Sequence, residues 1–255
     1  MSLPFFNSEK FTEEFFSRSR MFFGSDVFKE LENSRVAIFG VGGVGGWCAE
    51  SLVRTGIGHI LLVDPDQVAP SNINRQIMAD TKNIGALKVE VLKKRLLDIN
   101  PYLDIEVRAE RYCSENSSSF YLGQFDCIID AIDSLDDKMD LILKATNEIR
   151  PAFFSSMGAA FRSDPLSVEK SEFWKVKSDA LAKALRSRFR KQGIYPAKKF
   201  QCVYSTEVVE KRNFASSGEH RSYASLCHVT AVFGLVLASL AVNEIVSRAK
   251  SKYKE

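Results

Sequence analysis

The five cysteines of this chain (Cys48, Cys113, Cys127, Cys202 and Cys227) never form a Cys-x-x-Cys pair, and their number is odd. So scattered a set excludes a disulfide framework and a four-cysteine site, and no structural zinc is expected. Long apolar runs are also missing: the most apolar stretch, Val229 to Val242, has 14 residues and is broken by Thr230, Gly234 and Ser239. It falls short of the roughly 18–20 residues that span a bilayer, so it reads as a buried helix at the core or a subunit interface, with no stable membrane span. Met1-Ser2-Leu3-Pro4-Phe5-Phe6 offers neither a basic region nor an apolar stretch of export length, and the reducing cytoplasm is the expected compartment. A charge excess of one sign is lacking too, with Lys+Arg 35 facing Asp+Glu 32 for a net +3. That balance announces no nucleic-acid binder, and any such argument has to rest on how the charge is distributed. Internal repeats and low-complexity tracts are absent, and glycine is concentrated only at residues 40–46.

What is present is a globular composition, 45% apolar and 11% aromatic over 255 residues. That length allows one large domain or two small ones, and the apolar content excludes a mostly disordered chain. Residues 9–32 carry Phe11, Phe15, Phe16, Phe22, Phe28 and Leu31 at helical spacing and predict an N-terminal helical arm over 1–34. Strands are then predicted at 35–39, 59–64, 104–109, 125–130 and 151–155, alternating with helices at 47–54, 85–100 and 135–149. Such alternation argues an α/β fold with a doubly wound, mainly parallel sheet over 35–163. From 164 to 255 the rhythm changes to short strands (166–169 and 201–204), a basic helix, a polar loop and the apolar terminal helix, read as an appendage packed on the same domain.

Gly40-Val-Gly42-Gly43-Val-Gly45 lies directly after a strand and opens a helix. In that context missing side chains let backbone N–H groups approach a phosphate at a helix N-terminus, which indicates a nucleotide site. Asp64, about 20 residues on at a strand end, is placed to accept ribose hydroxyls. To this point NAD and ATP fit equally well. The following segment favours a triphosphate with Mg²⁺, because it supplies Asp66, Asn72, Arg75, Lys88 and, at the end of the fourth strand, Asp133. All fall where strands end, and ligands of open parallel sheets bind outside those carboxyl ends.

Together these positions resemble the adenylating fold of the ubiquitin-activating enzymes and of the bacterial enzymes that activate sulfur-carrier proteins. The resemblance implies that Gly42 and Gly45 cradle phosphate, that Asp64 holds the ribose, that Asn72, Arg75 and Lys88 bind the polyphosphate, and that Asp133 holds Mg²⁺. Arg20, in Ser19-Arg-Met-Phe-Phe-Gly24, matches the arginine that such homodimers reach across to the partner's γ-phosphate. Asp130-Ala-Ile-Asp-Ser134, Asn74-Arg-Gln-Ile77, Arg54-Thr-Gly-Ile-Gly58, Ser205-Thr-Glu207 and the apolar end further resemble the tRNA threonylcarbamoyladenosine dehydratases. That family uses ATP to cyclise the threonylcarbamoyl group on the adenosine 3′ of the anticodon. The implied reaction activates a carboxylate as its acyl-adenylate, releases pyrophosphate, and lets the substrate's own carbamoyl nitrogen expel AMP. No catalytic cysteine is needed, in agreement with the cysteine pattern. The alternative is adenylation of the C-terminal glycine of a ubiquitin-like sulfur carrier. A non-catalytic nucleotide-binding module and a nicotinamide dehydrogenase stand further off, the latter because it leaves Arg75 and Lys88 idle.

Lys170 to Arg212 holds 12 basic and 4 acidic residues, a local +8. Leu181, Leu185 and Phe189 share one helix face there, while Lys183, Arg186, Arg188, Arg190 and Lys191 cover much of the rest, an electrostatic footprint for the tRNA backbone. The resemblance also leaves room for a sulfur-relay protein as a partner. Trp47 and Cys202 read as core residues, and His220 and His228 are given no catalytic role.

Overall fold

A computed structural model describes residues 14–208 and 224–253. Short β-branched and aromatic runs form a single seven-stranded sheet of order β3-β2-β1-β4-β5-β7-β6. Its strands are β1 (Arg35–Phe39), β2 (His59–Val63), β3 (Asp104–Arg108), β4 (Cys127–Asp130), β5 (Ala152–Ser156), β6 (Val168–Glu172) and β7 (Gln201–Ser205). Every neighbouring pair is parallel except β6 with β7, which run antiparallel at one edge. The chain winds outward from β1 through β2 to β3, then returns to β4 on the other side of β1. The gap between β1 and β4 is thus the topological switch point where such sheets bind ligands.

Both faces of the sheet are covered, so strand residues alternate between two cores. Ile38, Ile60, Leu62 and Ile129 face a layer made by α2 (Ser25–Asn33), α3 (Gly45–Thr55), α4 (Lys88–Ile99) and α7 (Cys227–Lys252). Ala37, Phe39, Leu61 and Ile128 face α5 (Leu135–Asn147), α6 (Ala180–Gln192) and an aromatic group that includes Tyr112 and Phe120. The apolar run singled out in the sequence lies inside α7. That helix is long and apolar enough to cross a membrane by length and composition alone. Here it packs on α3, with Val229, Phe233, Leu237 and Ala241 fully buried and Gly234 set against the Val44 carbonyl.

Most boundaries shift by one or two residues from the sequence reading, and three differences have a visible cause. The N-terminal arm is two helices, α1 (Ser17–Phe23) and α2, because Gly24 adopts φ +83°, closes α1 through its amide to the Arg20 carbonyl and starts α2. Residues 1–13 of that expectation lie outside the described residues, as do Lys211 and Arg212 of the basic segment. The helix expected from 85 starts at Lys88, because the amides of Gly85 and Val68 are used to pair these two segments (Gly85 N–H to Val68 O, Val68 N–H to Ala86 O). The strand expected at 166–169 shifts to 168–172, because Pro165–Ser167 forms a turn that the Asp164 carboxylate caps.

Candidate functional site

The switch point opens at the glycine turn. Gly40 has φ +86°, and a Cβ there would stand 2.6 Å from the Ala131 carbonyl oxygen; at Gly45 it would stand 1.9 Å from the Gly40 oxygen. Only glycine therefore fits the place where the end of β1 meets the β4 loop. No side chain caps the N-terminus of α3; the Gly46 amide is taken by the Gly42 carbonyl at 3.1 Å, and the positive dipole end of the helix is left to face an anion. Asp64, at the end of β2, accepts the Val41 amide at 2.8 Å and the Asp66 amide at 2.9 Å, so it holds the glycine turn as well as facing it. Lys88, the first residue of α4 and itself buried, donates to Asp66 at 2.7 Å and lies 4.0 Å from Asp64. Burial pushes the Asp64 carboxyl above the usual range, while Lys88 and the two amides pull it back. The pair presents one ammonium and one largely desolvated carboxylate beside a phosphate-sized turn.

The segment from 70 to 76 closes over this turn. Asn72 is buried, and its side-chain Oδ1 accepts the Ala69 amide at 3.0 Å, which fixes the turn Pro70–Asn72. Arg75 donates to the Ser71 carbonyl and to Asn74, both at 2.8 Å, and its Cγ lies 3.3 Å from where a Gly43 Cβ would sit. Three further residues shape the site without having been singled out for it. Trp47, expected in the core, is half-buried and donates its indole N–H to the Arg75 carbonyl at 3.0 Å. Thr230, on the first turn of α7, stands 3.3 Å from the same Gly43 position. Gln76 is buried beside Gly42, and its Oε1 has no partner among the described residues. An orphaned buried acceptor is costly, and the Gln76 amide nitrogen is the atom that faces Gly42, 3.7 Å from where a Cβ would sit. Its only sequence signal is its place in Asn74-Arg-Gln-Ile77.

Across the cleft, Asp130 and Lys138 form a fully buried ion pair at 2.8 Å. Asp130 also accepts from Ser155 at 2.7 Å and from the Ile132 amide at 3.1 Å, while Lys138 donates to the Ile132 carbonyl at 3.0 Å. Two of these bonds pin Ile132, the residue that precedes Asp133. Asp133 itself is exposed, without a hydrogen bond or ion pair among the described residues. Among those residues no group of three or more His, Cys, Asp or Glu could hold a metal. A divalent ion at Asp133 therefore needs oxygens from a bound phosphate, the usual way Mg²⁺ is held.

Other expected residues lie elsewhere. Arg20 pairs with Glu32 at 2.9 Å and stacks over Phe28 at 4.5 Å, just before β1 begins, so within its own chain it is at the opposite end of the sheet from the glycine turn. On α6, Arg186 donates to the Phe173 carbonyl, Arg188 pairs with Asp136, and Arg190 lies over Trp174. Lys183 and Lys191 are exposed. Cys202 is buried, its thiol pushed well up by desolvation, which makes it inert. His228 is exposed and shares a 3.0 Å bond with the Ser163 carbonyl, and His220 lies outside the described residues.

A doubly wound sheet with a glycine turn at its switch point, a ribose-height carboxylate, and cationic and acidic side chains on the neighbouring strand ends defines a nucleotide-binding α/β protein built to handle phosphate. The ThiF family model matches residues 16–255, and the chain belongs to that family. It is 38% identical over 192 residues to the tRNA threonylcarbamoyladenosine dehydratase of Bacillus subtilis, covering 75% of this chain and 74% of that protein. The Escherichia coli dehydratase is 31% identical, with 95% of this chain and 97% of that one covered. The crystal structure of the E. coli enzyme with ATP superposes with a TM-score of 0.85 over 94% of this chain and 96% of that one.

Proposed function

We propose that this protein is an ATP-dependent enzyme of the cytoplasm that dehydrates threonylcarbamoyladenosine in tRNA to its cyclic form through an acyl-adenylate. The observation that carries this reading is the convergence of Gly40–Gly45, Asp64, Lys88, Arg75 and Asp133 on one row of strand ends. An enzyme that only activates a carboxylate needs phosphate positioning and charge stabilisation, and the site consists of those. The substrate carboxylate attacks the α-phosphorus and the bond to pyrophosphate breaks. The carbamoyl nitrogen then attacks the acyl carbon and AMP leaves, so that the tRNA loses the elements of one water. Arg75 and Lys88 neutralise phosphate charge, with Lys88 exchanging Asp66 for a phosphate oxygen. Mg²⁺ held at Asp133 supplies further charge neutralisation.

The working unit is a homodimer on this reading. Met21 and Phe22 of α1 are 87% and 82% exposed, an apolar pair that a second copy would cover while bringing Arg20 to the neighbouring site. The tRNA runs along α6. Because Arg186, Arg188 and Arg190 are already engaged within the chain, the expected phosphate contacts fall to Lys183 and Lys191. Changing both lysines to alanine is expected to weaken tRNA binding several-fold at low salt and to reduce the slope of log K against log salt by about 1–2, leaving ATP affinity unchanged. Filter binding across a salt series checks this; an unchanged slope returns α6 to a solvated face. The reaction class itself is tested by ATP–pyrophosphate exchange. Exchange stimulated by threonylcarbamoylated tRNA supports the proposal, whereas exchange that appears only with a small sulfur-carrier protein supports the alternative.

A further inference from the structure

One charged side chain in the row of strand ends has no use in the site just described. Arg162 follows β5 by six residues and is only 5% exposed. One of its terminal nitrogens donates to the Ser178 carbonyl at 2.8 Å; its Nε and its other terminal nitrogen are buried and have no hydrogen-bond partner among the described residues. The nearest carboxylates are committed. Glu207 accepts from the Ser163 amide, the Ser163 hydroxyl and the Asp164 amide, and Asp179 accepts from the amides of Gly158 and Ala182. Desolvated N–H groups of a permanently charged guanidinium are among the costliest groups to leave unpaired. The backbone around them is strained at two non-glycine positions, Phe161 at φ 60° and Ser178 at φ 53°. Strain of this kind persists where the surroundings impose it, commonly at binding sites.

The place of Arg162 points to substrate rather than to nucleotide. β5 lies beside β4, about 5 Å away, so the residues after β5 border the crevice that Asp133 enters. On the other side, α7 ties the two regions together: Thr230 touches the Gly43 position while His228, two residues earlier, bonds the Ser163 carbonyl. Arg162 therefore stands beyond the phosphate cradle, on the side away from Asp64 and the ribose.

We infer that Arg162 binds an oxyanion of the acyl substrate, the threonyl carboxylate, an inference that rests on the dehydratase reading above. A guanidinium fork with two unspent donors fits a carboxylate. One carboxylate oxygen attacks the α-phosphorus as the bond to pyrophosphate breaks. The other stays on Arg162 and becomes the carbonyl oxygen of the adenylate. As the carbamoyl nitrogen attacks that carbon, negative charge grows on the oxygen Arg162 already holds. The carbon–oxygen bond to AMP then breaks, and the nitrogen's proton leaves to solvent.

The test uses full-length wild type, Arg162→Lys and Arg162→Gln, with threonylcarbamoylated tRNA and with the free modified nucleoside. Expected are an ATP affinity within two-fold of wild type and a loss of kcat/KM, on the order of 10- to 100-fold for Arg162→Gln, on both substrates, with Arg162→Lys intermediate. Wild type inactive on both substrates would refute the dehydratase reading. Active wild type with unaffected variants would overturn the role of Arg162 alone. A loss seen with tRNA but not with the nucleoside would move the contact to a backbone phosphate and overturn the carboxylate assignment. Loss of ATP affinity in parallel would make Arg162 structural. A measurement on wild type alone guards against variants that fail to fold: with AMP present, the nucleoside should bind at least 10-fold tighter than its carboxyl methyl ester, and equal binding would contradict the inference.

Discussion

Asp133→Ala is expected to reduce ATP-dependent dehydration by about 100- to 1,000-fold, the scale seen when one group that stabilises transition-state charge is removed. The protein should remain folded, with unfolding free energy within about 0.5 kcal/mol of wild type, because the side chain is exposed and bonds nothing among the described residues. The physical reason is position. Asp133 is the first unpaired carboxylate past β4 among the described residues, at the switch point opposite the glycine turn, where on the proposed function it would hold Mg²⁺ and so supply charge neutralisation to the nucleotide. Single-turnover assays at saturating ATP over a Mg²⁺ series separate this from a binding defect. Wild-type turnover by the variant would remove Asp133 from the site.

The largest stability effect is expected one layer below. Lys138→Met breaks an ion pair in which both side chains are fully buried, and it leaves Asp130 charged without its partner. The expected cost is about 3–5 kcal/mol, or a melting point lower by about 6–20 °C. The effect has a pH signature. Burial already pushes the Asp130 carboxyl above the usual range, with Lys138, the Ser155 hydroxyl and the Ile132 amide opposing that push. Without Lys138 the carboxyl rises further, so between the unfolded-state and folded-state values the folded protein binds a proton that the unfolded chain has released, and above that window Asp130 is charged and unpaired. A raised folded-state value means that stability falls as pH rises from about 4, and the deficit of the variant should shrink on acidification. Adding Asp130→Asn should recover part of the loss at neutral pH. Urea unfolding at pH 5 and pH 8 checks both points; a deficit independent of pH would contradict the picture of a stranded carboxylate. Because the pair pins Ile132, a folded Lys138 variant should also lose activity through a displaced Asp133.

These two experiments probe parts of the molecule that differ in how far the sequence reveals them. The strands, the glycine turn, Asp64 and Asp133 are legible because they follow short-range rules: apolar runs of five, glycines where backbones touch, and carboxylates where a strand stops. The Asp130–Lys138 pair is not legible, since a lysine on the first turns of a helix looks like any solvated cation until the helix is laid on β4. Gly24 gave no warning that the N-terminal arm is two helices, because one glycine inside a helical pattern is usually tolerated. The basic helix was visible as a cluster of charge. What composition could not convey is that Arg186, Arg188 and Arg190 spend themselves on Phe173, Asp136 and Trp174. Trp47 and Thr230 could not be assigned either, because they matter through the loop and helix brought to them by α3 and α7. Arg162 lies in a loop of ordinary composition, and only its burial sets it apart.

Mass spectrometry of nucleosides from threonylcarbamoylated tRNA, incubated with the protein, ATP and Mg²⁺, reads the reaction itself. The account predicts that the modified adenosine loses the elements of one water in an ATP-dependent reaction, and that Arg75→Ala, which keeps the fold, abolishes the loss. Modified adenosine of unchanged mass after ATP has been supplied, or a loss of water that Arg75→Ala does not affect, would contradict it.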